Sequence, residues 1–330
     1  MSEDYVNTIF HEAMSSVLEN TYKEKIEAGI PEEEIIKNLR AIDMTEMYTQ
    51  LLDSMADSAF DSLRQSMFEE ALYWRGDASE FVVRQEQKWG KCFVASEAMY
   101  VIAIEASQSY GQYLSENDVE GKDKKQFSFL ALREINARNC QIFLEILYLM
   151  KLGFADGAYA RWRSMYELSI IAQFIYNNGD TVAEAFFNAV DTEDRYDWAK
   201  TASCFMNSKK KHLSFSDIQS QCDFASPEWK SQYDLANKVV HASPQGTFKR
   251  LSIKESIGIL PVGHSDYGIT TPAEHSAITL ARVFALFINI FPYGDGLMAA
   301  YVLNKWVDLI REHYFAAHKE LFGGEDFVQQ

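Results

Sequence analysis

The sequence predicts an all-α, multi-helix bundle. Three observations carry that expectation. Helix-period apolar patterns run through most of the 330 residues, only six prolines interrupt them, and no stretch alternates apolar and polar residues between turn signals. With 47% hydrophobic and 24% charged residues, the chain has the composition of a globular protein able to bury a sizeable core. We expect an N-terminal helical region over residues 1–120 and the main bundle over 121–330.

The elements follow in order. Residues 4–28 read as a helix that stops at Gly29-Ile30-Pro31. Pro31 then opens PEEEIIKNLR, whose acidic first turn suits a helix N-terminus. A long helical stretch from about Asp43 to Arg75 is expected to break at Gly76-Asp77, and another covers Ala78 to Leu114. The polar segment 115–126 reads as a linker or a plain helix–helix loop. Residues 127–152 form one helix ending at Gly153. Asp156 is placed to cap the next, which runs from Gly157 to about Asn177. A helix over Thr181–Asn207, a short one after Ser214 and one from Pro227 to near His241 complete the middle of the chain. Residues 242–274, with three prolines and four glycines, form the longest irregular segment, with room for a short hairpin. A last helical stretch from Pro272 to about Leu321 is interrupted near Pro292-Tyr293-Gly294.

A net charge of −17 opposes broad, charge-driven binding to nucleic-acid backbones and leaves room for a protein partner with a basic surface. The one local basic run, Lys209-Lys210-Lys211-His212, reads as a solvated helix end. Cys92, Cys140, Cys204 and Cys222 are far apart and form no CxxC pair, which points to free thiols in a reducing compartment. The N-terminal residues lack a signal-peptide pattern. No apolar run approaches 18 residues, and the densest, FALFINIF at 284–291, already contains Asn289. A cytoplasmic protein with no membrane span is expected.

ARWRSMYELSII, residues 160–171, poses the functional question, because charges occur in what reads as a buried helix. Pivoting the helical hairpin at Phe154 places Glu145, set among apolar residues, opposite Arg163. The two are expected to form an ion pair. Arg163 also has Glu167 one turn later, and a guanidinium serves two acceptors at once. The structural reading is a pair that fixes helix register. The functional reading is an arginine lining a pocket for a phosphate or carboxylate. A second polar stripe, Tyr233, Asn237 and His241, recurs every four residues in YDLANKVVHAS. His241 falls at a helix end, where the dipole favours its charged form or where it caps terminal carbonyls.

These two signatures, LYLMKLGFADGAYARWRSMYEL and a later Tyr-x3-polar-x3-His-x-Ser, together resemble a bacterial family, the domain of unknown function numbered 5677, over about residues 125–300. Arg163, Ser164, Tyr166 and Glu167 stand at its Arg-Ser-x-Tyr-Glu core, and Asn237 stands where its pattern has serine. The family in turn looks like a distant relative of the HEPN helical bundles. That resemblance implies a HEPN-like C-terminal bundle, a homodimer, and metal-independent RNA cleavage. In such cleavage a histidine moves protons while an arginine stabilises the phosphorane. The HEPN Arg-x4–6-His motif occurs as Arg311 and His318. With 12 arginines and 7 histidines in the chain, about one such match is expected by chance.

No phosphate-binding glycine loop occurs, the N-terminal HEAM lacks the second histidine of a zincin, and no cofactor is implied. Asp191, Asp194 and Asp197, with Glu184 or Glu193, share a helix face that reads as solvated and acidic rather than as a metal site. Two readings of function remain. One is a stress- or phage-defence component that binds RNA or a nucleotide. Its catalytic residues would be Arg163 and His241, with Tyr166, Glu167, Tyr233 and Asn237 around the ligand. The other is a non-catalytic interaction module in which these polar residues only fix the bundle.

Overall fold

The computed structural model describes residues 3–40, 44–193, 195–241, 243–248, 250–252 and 262–323. Among them are eleven α-helices and no strand. The chain divides into two compact units, Met1–Gly76 and Asp77–Gln330.

The first unit holds α1 (Glu3–Glu27), α2 (Glu32–Arg40) and the beginning of α3 (Met44–Glu116). Gly29, at φ 75°, turns the chain between α1 and α2. The expected break at Gly76-Asp77 does not occur, and α3 continues through both residues. A single glycine costs a helix interior about 1 kcal/mol relative to alanine, and no proline is present to remove a hydrogen bond. The division into units falls at that glycine, whereas the polar 115–126 segment is a connection inside the second unit.

The second unit is built around a helical hairpin. α4 (Gln126–Lys151) and α5 (Ala155–Asn178) pack along their lengths, with α10 (Thr270–Ile288) against both and α11 (Gly294–Phe322) against α10. α6 (Asp180–Asn188) lies on α4, and α8 (Pro227–Val240) on α5. Two short helices, α7 (Phe215–Gln219) and α9 (Pro244–Phe248), complete the set. The part of α3 in this unit buries Trp89, Cys92, Phe93, Met99, Ala103 and Tyr110. The Tyr110 hydroxyl accepts a hydrogen bond from the Phe291 backbone N–H at 3.0 Å, which ties the α10–α11 connection to α3.

Local chemistry explains the starts of two helices. Ser214 and Asp217 form a reciprocal capping box on α7, and Ser226 caps α8 ahead of Pro227 at the first turn. Asp156 behaves differently from expectation. It lies inside the first turn of α5, and its carboxylate accepts the backbone N–H of Leu251 at 2.7 Å together with the N–H and hydroxyl of Ser252. It therefore ties down the chain following α9 instead of capping α5. The helix expected over Thr181–Asn207 stops at Asn188, and the chain then proceeds through short 3-10 turns at Ala189–Asp191, Asp197–Thr201 and Ser203–Phe205. Within 242–274, the segment with room for a short hairpin, residues 242, 249 and 253–261 lie outside the described residues, as does Asp194.

Gly153 makes the α4–α5 turn at φ 74°. A Cβ there would meet the Phe81 ring at 2.5 Å and the Ser265 carbonyl at 2.6 Å, whereas at Gly179 (φ 81°) it would meet nothing within 4 Å. Gly179→Ala is expected to cost about 1 kcal/mol through the left-handed backbone alone. Gly153→Ala adds a steric clash and is expected to cost roughly 2–4 kcal/mol. Chemical denaturation of the two variants side by side checks the difference.

Candidate functional site

Three helices bring polar side chains onto faces that meet. On α5, Tyr159, Trp162, Arg163, Tyr166 and Glu167 recur at three- and four-residue steps and share one side. On α8, Trp229, Gln232 and Tyr233 do the same, and on α10 so do His275, Thr279 and Arg282. An α5 buried on nearly every side can carry polar groups only if they find partners within the bundle.

The Arg163 guanidinium reaches Glu167 Oε1 at 2.9 Å, one turn along the same helix. The Tyr233 hydroxyl donates to the same oxygen at 2.7 Å, and Arg163 lies over the Tyr233 ring, 5.7 Å from its centroid. Burial works against the charge on Arg163, but the bond with Tyr233 and the nearby Glu167 carboxylate outweigh it and hold its pKa above the ordinary value. Burial and the Glu167 carboxylate push the Tyr233 phenol up to about 12, so it stays protonated and donates. Arg163 Nε is sealed from solvent and makes no hydrogen bond.

Beside this network lies an aromatic cluster. Trp162 stacks on Tyr159 with centroids 5.1 Å apart and packs against His275 at 4.8 Å, while its indole N–H donates to Thr279 Oγ1 at 3.1 Å. The Tyr159 hydroxyl donates to the side-chain oxygen of Gln232 at 2.8 Å. Tyr166 is nearly parallel to Trp229 and accepts from Gln219 Nε2 at 3.0 Å. Arg282 lies 4.6 Å from the ring centroids of both Phe224 and Trp229. Its burial lowers its pKa, so the two rings hold a partly desolvated cation.

The sequence-derived candidates thus separate into groups. Arg163, Tyr166, Glu167 and Tyr233 come together. Asn237 lies one turn beyond Tyr233, half-buried. His241 is the exposed C-cap of α8, about 12 Å along the helix axis from Tyr233. Among the described residues, none of the contacts that build the Arg163 network involves His241.

The expected Glu145–Arg163 pair does not form. Glu145 is paired with Arg161 and, at 3.8 Å, with Arg138. Arg161, helped by Gln141 and Arg138, holds the Glu145 carboxyl below its usual range against the effect of burial. The hairpin register is offset by two residues from a pivot at Phe154. Two residues are about 200° of helix, so Arg161 faces α4 while Arg163 faces α8.

Three other features of the sequence resolve without a site. Arg311 binds Glu274 at 2.7 Å, and His318 is buried against Tyr267 and Phe322. In the basic run, Lys210 pairs with Asp217 and His212 with Asp197. Asp197 also accepts the Leu213 backbone N–H at 2.9 Å.

Residues 129–228 match the family of unknown function DUF5677. The DUF5677 span covers most of the α4–α5 hairpin and includes Glu145, Arg161, Arg163, Tyr166 and Glu167. It ends at the start of α8, before Tyr233, Asn237 and His241. No curated protein and no solved structure matches the chain.

His275, Thr279 and Arg282 were not anticipated, although α10 carries the signal that marks α5: polar side chains at four- and three-residue steps on an apolar helix. Burial, with Arg311 nearby, lowers the His275 pKa to about 4. The unfolded chain takes up this proton near pH 6.5 and the folded one does not. Stability from this group is therefore complete above about pH 6.5 and is lost as pH falls toward 4. Thermal melts of the wild type should show a loss of about 1–2 kcal/mol between pH 7 and pH 5, and His275→Gln should flatten that part of the profile.

Proposed function

We propose that the chain is a non-catalytic helical interaction module in which Arg163, Glu167 and Tyr233 fix the packing of α5 against α8. The observation that carries this reading is the commitment of the network to itself. One carboxylate oxygen receives both the guanidinium and the phenol, so little charge is left over for a ligand. Beside it, the Tyr166 ring packs against Trp162, Trp229 and Tyr233. His241, the proton-transfer candidate, projects from a helix end two turns away.

A second reading is a defence-type protein that takes RNA or a nucleotide at the exposed edge of Arg163. The Arg163 side chain, 26% exposed, favours it, as does the resemblance to HEPN bundles.

RNA cleavage and RNA binding in metal-free buffer separate the two, with wild type, Arg163→Ala, His241→Ala and His318→Ala compared. The interaction reading expects neither cleavage nor binding by any of them. It expects Arg163→Ala to lose about 1–2 kcal/mol of stability, less than a fully sealed pair because both partners are partly exposed. Cleavage by the wild type that is lost in a fully folded His241→Ala would overturn it and make the protein a ribonuclease.

A further inference from the structure

The N-terminal part of α3 carries an apolar stripe whose large side chains are exposed. Leu52, Ala56, Phe60, Leu63, Met67, Ala71 and Trp74 follow steps of four and three, which keeps them on one side of a helix. Phe60, Met67 and Trp74 are 63%, 65% and 67% exposed. The same period later in α3, at Trp89, Cys92, Met99 and Ala103, is fully buried. A run of large apolar side chains this long marks an interaction surface.

The pattern is its own complement. Reversing the helix about Met67 sets Phe60 opposite Trp74, Leu63 opposite the small Ala71, and Met67 opposite itself. The flanking charges obey the same reversal. Asp57 and Arg75 lie about five helical turns apart, hence on the same flank of the stripe, and in an antiparallel pair each falls within a turn of the other on the second copy. Glu70, on the opposite flank, meets the neutral Ser66. An acidic helix binding itself in this register therefore brings no like charges face to face.

We propose that residues 52–75 of α3 form a two-fold antiparallel helix pair with a second copy of this chain, centred on Met67. The stripe's large side chains would bury on the order of 500 Å² per copy, which brings the total near the roughly 1,000 Å² that a specific interface needs. The surface shares no residue with the Arg163 network, so its test stands apart from the proposed function. It supplies that reading with its first partner, the chain itself.

Sedimentation of the full chain at tens of micromolar, in a Cys204→Ser background that removes the exposed thiol, tests the proposal. A dimer is expected. Met67→Lys, which sets two lysines against each other on the axis, should weaken it about a hundredfold, whereas Tyr73→Lys, off the stripe, should leave it intact. Met67→Cys should cross-link to itself under oxidation. Phe60→Cys should cross-link only when mixed with Trp74→Cys. A monomeric wild type overturns the proposal, as does self-cross-linking of Phe60→Cys as readily as Met67→Cys, which would mean parallel packing.

Discussion

The second unit depends on the burial of α5. This helix contacts α4, α6, α7, α8 and α10, so almost no side of it faces water. A helix enclosed in this way carries apolar residues all round, and any polar group it keeps must be answered by a neighbour. Three of these neighbours supply hydrogen bonds in answer. α8 gives Tyr233 to Glu167 and Gln232 to Tyr159, α7 gives Gln219 to Tyr166, and α10 gives Thr279 to Trp162. Each bond contributes on the order of 1 kcal/mol on its own. Their larger effect is on register, because a slip of α8 or α10 along α5 would strand several buried polar groups at once.

The partly buried ion pair fits the same logic. Arg163 and Glu167 are one turn apart on a single helix, so they would meet in an isolated α5 as well. The tertiary structure adds Tyr233, which orients the carboxylate and stacks beneath the guanidinium. Arg161 and Glu145 hold α5 to α4 on the other side, closer to solvent. The two arginines of the ARWRS segment therefore serve two different helix packings, and the segment is charged because it lies at a crossing of three helices.

The same periodicity leads to different outcomes along α3. Where the stripe meets α4 and α11 it disappears into the core. Toward the N-terminus it continues with Phe60, Met67 and Trp74 but remains exposed. Hydrophobic burial is non-directional and proportional to area, so those side chains gain from any covering surface of matching shape, and the self-complementary spacing supplies one.

Much of this protein was legible in the sequence by itself. The all-α class, most helix limits, the tight turn at Gly153 and the Ser214 and Pro227 starts all follow from period, caps and turn residues, which act over a few residues. Those local rules failed at Gly76, where helix propensity outlasted one glycine, and after Asn188, where short 3-10 turns replaced a regular helix. They could not say which partner Arg163 takes, because a two-residue offset in the hairpin rotates a side chain to the opposite face of its helix. Nor could they bring His275, Thr279 and Arg282, more than a hundred residues away in the chain, against α5. The packing of whole helices decided those contacts, since pairing across such separations depends on how every face of the bundle is covered at once.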